Sequence, residues 1–329
     1  MSISSYTKKV IKFAGFNILS NPLRINNRLK KIKAKRYLTI LNLHRVDNND
    51  KSAYPPLNPK IFESLIQFLL KNYEFTSFLE LEKDKFDKKK LPSKPKVILS
   101  FDDGYKDFIN IAHPILLKYG IRSNQNIIPS CIDKQRPPFN VILQDFLGKA
   151  NIDELEELKI PNFKFNKSNN IVKEGARLSS FVKNNTFQKQ LEIEKYCLDR
   201  LGDDLYKYST EMMNKSDIKE IMKFHDIGVH SFFHSNMSCE TDEFFKNDID
   251  LCSKWFEHNF CEKPYIYAFP NASYKKSNLK IAKEKGYTQI LLVNNNFSNN
   301  NNSVHNRFAF HAYSEQEMIY RSLGFLRNI

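Results

Sequence analysis

The sequence predicts a parallel, barrel-like α/β fold. Short apolar segments with strand character alternate with segments whose apolar residues recur at helical spacing, and this alternation is typical of a parallel sheet covered by helices. The chain has 329 residues, of which 41% are hydrophobic, so it can bury one large core as a single domain. Candidate functional residues stand at or near the ends of several predicted strands, where barrel enzymes place their chemistry.

The first part of the barrel is predicted from short apolar runs and one clearly amphipathic helix. Phe62, Leu65, Ile66 and Leu69 share one face of that helix, and Gly120 stands where the next helix would end. The strands are apolar runs bounded by polar or turn-forming residues. In chain order these elements are strand 37–43, helix 59–71, strand 97–101, helix 109–119 and strand 124–129.

Residues 131–215 interrupt the alternation. They are highly charged, with helical patches at 152–158 and 186–202, and we interpret them as an insertion between barrel strands that covers the site as a lid. Beyond them, Ser216 is predicted to cap one helix and Gly286 to close another. The remaining elements are helix 216–224, strand 227–230, helix 241–259, strand 265–269, helix 277–285, strand 288–293, strand 307–311 and a helix from residue 314.

The most informative segment is residues 97–105, which read Val-Ile-Leu-Ser-Phe-Asp-Asp-Gly-Tyr. A buried strand holds its last side chains with little freedom, and Gly104 allows a sharp turn directly afterwards. Two adjacent carboxylates, Asp102 and Asp103, are costly at the end of a buried strand unless a cation shares the site. A plain strand followed by an Asp-Gly turn is the alternative.

A histidine pair follows in the segment Gly-Val-His-Ser-Phe-Phe-His. His230 and His234 are four residues apart and come after another predicted strand, so they can converge on one ion from a helical turn or a tight loop. Two histidines and one carboxylate near strand ends form the ligand set of an open catalytic metal site, which leaves positions free for water and substrate. Two unrelated histidines are the alternative.

These motifs resemble those of the polysaccharide deacetylases, the NodB-homology or carbohydrate esterase 4 family. Ser100 to Gly104 match the first family motif, T/S-F-D-D-G, and His230 to His234 match the second, H-S/T-x-x-H. Residues 41–46 and 267–274 match two looser motifs in the family's order. The resemblance covers about residues 37–325 and implies a distorted (β/α)7 barrel, with residues 37–329 as the catalytic domain.

The resemblance also implies the roles of the site residues. It assigns Asp102 as the general base and Asp103, His230 and His234 as ligands of one divalent metal ion. Zinc is the expected ion, with cobalt, nickel, manganese and iron as alternatives, since this ligand set suits several metals. The ion would keep Asp102 ionised, and Asp102 could then take a proton from the attacking water.

The proton donor is where the chain departs from the family pattern. The late Leu-x-His motif of the family corresponds to Ala309-Phe310-His311, which makes His311 the predicted general acid and His44 its rival, with a structural role open for each. The arginine usual in the third motif is absent, and Arg307 is the predicted substitute. Asn271 and Ala272 also depart from the family, so we expect a differently shaped loop there. The predicted substrate contacts are His44, Tyr105, Pro270, Tyr274 and Arg307.

The chain carries a net charge of +14, and residues 1–36 form a basic N-terminal segment. This segment is either an arm that touches anionic lipid at the membrane or a solvated tail of a Lys-rich chain. No aromatic-basic or helix-turn-helix pattern accompanies the charge, so nucleic acid is not an expected partner. The apolar patch 10–23 lacks a cleavage pattern, and five cysteines without CxxC spacing indicate no disulfide framework. We expect a protein of the cytoplasm or the periphery of the inner membrane.

Three functions are compatible with these observations. The first is metal-dependent removal of an N-acyl group, usually acetyl, from an amino sugar of a bacterial surface polysaccharide or its precursor. The second is a catalytically inactive carbohydrate-binding barrel, although such a protein has no need of Asp102. The third is a glycoside hydrolase, for which adjacent Asp102 and Asp103 are poorly placed to flank a bond. The sequence leaves the oligomeric state open, and it places His113, His225, His258 and His305 on the surface or on helices.

Overall fold

The computed structural model describes residues 16, 21–48, 51–83, 93–166, 168–299, 303–325 and 327–329. Most of the apolar patch 10–23 therefore lies outside the described residues. Within the described ranges, no helix combines the length and the apolar character needed to cross a bilayer.

Within the described residues, ten strands form one sheet, and seven of its segments make a nearly closed ring. The ring order is β1, β3, β4, β5, β6, β7 and then β9 with β10, and these pairs are all parallel. The short strands β2 and β8 pair with β3 and β1. The strands are β1 Tyr37–Leu43, β2 Glu74–Phe75, β3 Lys96–Asp103, β4 Asn124–Ile127, β5 Asp226–Val229, β6 Ile266–Ala268, β7 Gln289–Leu292, β8 Ser298–Asn299, β9 Val304–Asn306 and β10 Phe308–Ala309.

The segment 304–309 closes the ring. Its first part, β9, pairs with β7, and its last part, β10, pairs with β1. The single strand predicted at 307–311 is thus displaced and split at Arg307, whose N–H still donates to Leu292 O at 2.9 Å. This arrangement confirms the distorted barrel of seven strands.

Helices lie around the ring, over one end of it and in the segment between β4 and β5. They are α1 Pro22–Ala34, α2 Pro59–Asn72, α3 Phe78–Lys83, α4 His113–Lys118, α5 Pro129–Lys134, α6 Phe139–Lys149, α7 Ile152–Glu157, α8 Ile171–Lys183, α9 Phe187–Leu201, α10 Lys215–Met222, α11 Asp242–Phe260, α12 Lys276–Glu284 and α13 Glu315–Ser322. A π-helical turn at Phe108–Ala112 precedes α4. The helix predicted to start at Ser216 begins one residue earlier, because Asn214 caps it through Asp217 N.

The inside of the barrel is layered, because alternate residues of a strand face the same side. At one end, Leu38, Ile40, Ile98, Ile266 and Leu291 form an apolar layer that α3 covers with Phe78. Further along the same strands the inward positions become polar, with Asn42 on β1 and Ser100 and Asp102 on β3, all buried. The change in polarity along each strand therefore directs the polar groups to the carboxyl end of the barrel.

The segment between β4 and β5 has an apolar core of its own. Leu143, Phe146, Leu178 and Val182 pack together between α6 and α8. The two helices also approach residues 51–53 closely: a Cβ added to Gly175 would lie 2.5 Å from the Cβ of Ala53. The inserted segment is thus folded against the barrel.

Two parts of the chain differ from their sequence-based descriptions. Helix α1 lies within the basic N-terminal segment and is docked, with Ile32 buried and Arg28 donating to the carbonyls of Leu323 and Gly324. His305 is buried in β9, where its ring lies 2.7 Å from both Ser298 Oγ and Gln289 Oε1, and His225 is buried beside His113 at 2.8 Å. These histidines pack as neutral core groups, which the sequence alone does not distinguish from surface histidines.

Candidate metal centre

Asp102 and Asp103 are the last two residues of β3, at the carboxyl end of the barrel. Asp103 has φ 82° and Gly104 has φ 89°, so the chain turns sharply through the left-handed region directly after the strand. Because adjacent strand residues point to opposite sides and the turn begins at Asp103, the two carboxylates take different positions at this edge. Both are buried.

The histidine pair lies on the loop that follows β5, the next strand but one. Ser231 and His234 have φ 61° and 59°, so this is a tight loop with two left-handed residues instead of a helical turn. Asp248 of α11 anchors the loop by accepting hydrogen bonds from Ser231 Oγ at 2.9 Å and from Phe232 N at 3.0 Å.

Asp103, His230 and His234 converge on one point. The Nε2 atoms of the two histidines each lie 3.5 Å from Asp103 Oδ1, and one ligand atom of each residue lies within 4.8 Å of the other two. Asp103 Oδ1 is buried and forms no hydrogen bond with a described residue. A buried carboxylate oxygen without a donor, facing two imidazole nitrogens, fits a divalent cation held by an Asp-His-His set.

The histidines are prepared for metal binding. The Nδ1 atom of His230 lies 2.9 Å from Ala268 O, which fixes the ring and leaves Nε2 free to face Asp103. Burial lowers the pKa of His234 to about 3, outweighing the opposite effect of Asp103, so this imidazole is neutral near pH 7. Neutral imidazoles are the form that binds a metal ion.

Asp102 is held by partners of its own. Arg307 donates to both of its oxygens, at 2.7 and 2.9 Å, and Asn126 donates to Oδ1 at 2.7 Å. Arg307 is fully buried and also donates to Ser100 Oγ at 2.9 Å. Burial has the largest single effect and raises the pKa of Asp102, but the charge and hydrogen bonds of Arg307, together with His230 and His44, outweigh burial and hold that pKa well below its usual range. Asp102 is therefore an oriented, ionised carboxylate, 3.8 Å from His230 Nε2.

A cavity of about 380 Å³ opens above these groups. Asp102, Asp103, His230 and His234 line it together with His44, which follows β1. Burial lowers the pKa of His44, against the opposing charges of Asp103 and Asp102. His44 is thus a titratable group in the same cavity as the carboxylates.

The structure does not bring His311 into this cavity. Its Nε2 atom lies 3.4 Å from Pro56 O, its ring packs against Tyr313, and it lines a neighbouring cavity of about 400 Å³. The reason is that β10 ends at Ala309, so the chain has left the ring before it reaches residue 311. His44 lines both cavities.

The other predicted substrate contacts lie around the cavity or behind it. Arg307 is buried against Asp102, and Tyr105 is fully buried with its ring 5.8 Å from the guanidinium of Arg45, so neither lines the cavity. Pro270 is buried at the start of a short turn, and Tyr274 packs on Phe269, which does line the cavity.

The turn after Pro270 keeps an unusual backbone. Asn271 and Ala272 have φ 58° and 55°, and both line the cavity. The family has glycine in place of Ala272, and here alanine adopts the left-handed conformation that glycine adopts without steric cost. The turn thus has a different residue at this position, but its backbone still adopts the left-handed conformation that glycine favours.

Sequence reasoning missed three residues of the site. Asp248, an acid on the buried face of α11, anchors the histidine loop, and Asn126 holds Asp102 from the neighbouring strand. Lys183 lines the cavity from α8. An acid among Phe245, Ile249 and Cys252 on one helix face was a signal for Asp248, whereas Lys183 is one lysine among many.

Comparisons with known proteins agree with this geometry. The sequence profile of the polysaccharide deacetylase family matches residues 89–290, more than half of the chain. The chain belongs to the polysaccharide deacetylase family. No curated protein sequence matches it significantly.

Several solved structures share the fold. A Streptococcus pyogenes deacetylase, PplD, determined in complex with acetate, is 17% identical with a TM-score of 0.57 over 87% of this chain and 98% of its own. A de-N-acetylase from Aggregatibacter actinomycetemcomitans is 14% identical, with a TM-score of 0.56 over 86% and 99%. IcaB from Ammonifex degensii is also 14% identical, with a TM-score of 0.56 over 87% and 97%.

Proposed function

We propose that this protein is a metal-dependent deacetylase that hydrolyses the N-acetyl group of an amino sugar in a bacterial surface polysaccharide or its precursor. The observation that carries the proposal is the Asp103, His230 and His234 cluster directly beside an ionised, Arg307-bound Asp102. Family membership supports a hydrolase of amide bonds. The names of the similar structures, a deacetylase and a de-N-acetylase, support the same chemistry.

Each residue of the cluster has a role in this chemistry. Asp103, His230 and His234 would hold the ion, which would polarise the acyl carbonyl and supply a water of lowered pKa. Asp102 accepts the proton of the attacking water, and Arg307 and Asn126 keep its carboxylate ionised and oriented. The two aspartates thus have different roles. Both oxygens of Asp102 accept from Arg307, whereas Oδ1 of Asp103 faces the two histidines.

Amide cleavage also needs a proton at the leaving nitrogen. The sequence favours His311 for this role, whereas the cavity contains His44. We propose His44 as the proton donor, because a donor must lie within hydrogen-bond reach of the reacting group. His311, in the adjoining cavity, is the alternative.

The exposed cations of α1 and of Lys35, directly after it, support a further proposal on location. Arg24, Lys30, Lys31 and Lys35 are exposed, and each basic residue near an anionic membrane contributes about 1 kcal/mol of binding. We propose a peripheral membrane contact through this face. Co-sedimentation with anionic vesicles at low salt tests it, and a chain that stays in the supernatant contradicts it.

The products formed from an N-acetylated chitooligosaccharide test the proposed function. Protein loaded with zinc, or with cobalt, nickel or manganese, is expected to release acetate without new reducing ends. An activated aryl acetate reports on the same chemistry when the sugar is unsuitable. New reducing ends without acetate would indicate a glycoside hydrolase, and binding of the glycan without release of acetate from either compound would indicate an inactive carbohydrate-binding barrel.

A further inference from the structure

The inserted segment between β4 and β5 builds one wall of the cavity. Asn140 and Gln144 line it from α6, and Ala176, Ser179 and Lys183 line it from α8. Spacings of three and four residues place each set on one face of its helix. Asn140 Nδ2 donates to Ser179 Oγ at 3.1 Å, so the two faces are joined. The wall is mostly polar, and it belongs to the segment inserted between two barrel strands.

Lys183 is the residue of this wall whose charge indicates a bound ligand. Among the described residues that line the cavity, it is the one lysine or arginine. Its Nζ forms no hydrogen bond or ion pair with a described residue. Burial lowers the pKa of Lys183, against the opposing charge of Asp103. A partly buried ammonium without a partner carries a desolvation cost, which a partner supplied by a ligand would offset.

The position of Lys183 is fixed relative to the metal centre. It is the last residue of α8, and its carbonyl accepts a hydrogen bond from Asn236 Nδ2 at 3.0 Å. Asn236 stands two residues after His234, and its Oδ1 in turn accepts from Ser238 N at 3.2 Å and from Ser273 Oγ. The end of the inserted helix is therefore tied to the loop that carries the histidines, so the backbone of Lys183 is held beside the metal centre and its side chain lines the same cavity.

The charges of the cavity do not require Lys183 for balance. Asp102 already has Arg307 as its partner. With a divalent ion bound, the ion, Arg307 and Lys183 would together carry four positive charges against the two negative charges of Asp102 and Asp103, which leaves an excess of positive charge. A neutral sugar leaves that excess uncompensated in a site partly removed from water, where electrostatic interactions are stronger than in bulk solvent.

We infer that Lys183 binds an anionic group of the substrate, a carboxylate or a phosphate on the acylated sugar or on the residue next to it. The inference rests on the proposed function, because it concerns the substrate of the same site. Lys183 is then a specificity residue supplied by the insertion, while the barrel strands supply the chemistry.

Binding to the zinc-loaded protein tests the inference, with acetate release followed in the same samples. Calorimetry compares N-acetylglucosaminuronic acid and N-acetylglucosamine 6-phosphate with neutral N-acetylglucosamine. We expect the wild type to bind at least one anionic sugar about 10- to 100-fold more tightly than the neutral one, which is the contribution of a charged hydrogen bond. Lys183→Gln should lose this preference, and Lys183→Arg should keep most of it. Which of the two anions is preferred distinguishes carboxylate from phosphate.

The control is Lys173→Gln, which removes the same charge from an exposed position of the same helix. It should leave the preference unchanged. The inference is overturned if the wild type binds neutral and anionic sugars equally, or if Lys183→Gln weakens both by the same factor. Loss of the preference in Lys183→Gln without acetate release from any compound would instead refute the proposed function and leave the anion site standing.

Discussion

Asp102 shows how a buried carboxylate is kept ready for proton transfer. Its pair of hydrogen bonds from Arg307 fixes the plane of the carboxylate, and Asn126 adds a third donor. An isolated charge at this depth would be neutralised by protonation, because burial disfavours the ionised form. The guanidinium thus maintains the charge that a general base needs.

Asp102→Asn should retain the metal ion and lower kcat about 10²- to 10⁴-fold, because an amide cannot accept the proton of the attacking water. The measurement is kcat on an N-acetylated oligosaccharide together with the metal content of the same sample. Loss of metal from this variant would mean that Asp102 shares the role assigned to Asp103.

The pH profile of kcat/KM should report on Arg307. Burial raises the pKa of Asp102 and Arg307 lowers it, so removing the guanidinium in Arg307→Met should raise that pKa. A base must be deprotonated, so the acidic limb of the profile should move to higher pH, with a smaller shift in Arg307→Lys. Arg122→Met, which removes the partner of Asp226, is the control. An unchanged acidic limb in folded Arg307→Met would contradict this role.

The proton donor can be identified from the dependence on the leaving group. His44→Ala should impair hydrolysis of an N-acetyl sugar far more than hydrolysis of an aryl acetate, because a phenolate leaves without a proton. His311→Ala should affect both substrates little, since His311 lies in the adjoining cavity. The opposite result, with the leaving-group dependence confined to His311→Ala, would restore the assignment that the sequence favours.

The sequence could predict the residues that share a local motif and could not predict their distant partners. Asp103, His230 and His234 were predicted because strand ends and a four-residue spacing allow two histidines and a carboxylate to converge, and the family resemblance assigned Asp103 as that carboxylate. Arg307 was predicted to substitute for the missing arginine of the third motif, but the sequence did not indicate its partner, Asp102, which is 205 residues away. This contact forms because the segment 304–309 closes the ring beside β1 and β7, and no local pattern in the sequence indicates it.

At the scale of elements, the loop after β5 depends on a helix for its shape. Asp248 of α11 accepts from Ser231 Oγ and from the backbone of Phe232, so the left-handed turns at Ser231 and His234 are held from outside the loop. Groups of this kind orient metal ligands without touching the ion.

Asp248→Asn should therefore weaken metal affinity about 10- to 100-fold, the usual cost of losing such support. An amide has one accepting oxygen where the carboxylate has two, so the loop loses part of its anchor. Metal titration in a chelator buffer measures the effect. Asp250→Asn, on the same helix but paired with Lys285, should bind metal like the wild type. Equal metal affinities for the two variants would show that the loop keeps its shape without the Asp248 carboxylate.

Secondary structure was predictable where the apolar pattern was long, and less so at the ring's closing edge. Strand β1 and helix α2 match their predicted ranges within one residue. The strand predicted at 307–311 was misplaced because β9 and β10 are three and two residues long. Strands this short do not show a recognisable alternation of apolar and polar residues. The insertion was recognised by its break in the alternation, but its close packing against residues 51–53 has no signal in the sequence.

At the scale of the whole molecule, the two ends of the barrel differ: one is an apolar core layer, and the other carries the polar residues of the candidate site. The apolar layer around Ile40 and Ile98 closes one end, and the polar layer with Ser100, Asn126 and Arg307 supports the carboxylates at the other. The fold class followed from the alternation of strands and helices, since few architectures satisfy it. What the barrel acts on is determined by loops and by the insertion, which vary independently of that alternation.

The metal content of the purified protein, measured by elemental analysis after reconstitution, tests the central claim most directly. The structure predicts one divalent ion per chain in the wild type and its loss in His230→Ala, because Asp103 and His234 alone leave the ligand set incomplete. His258→Ala removes an exposed histidine and should keep the ion. Equal metal content in the wild type and His230→Ala, or no ion in the reconstituted wild type, would contradict the account.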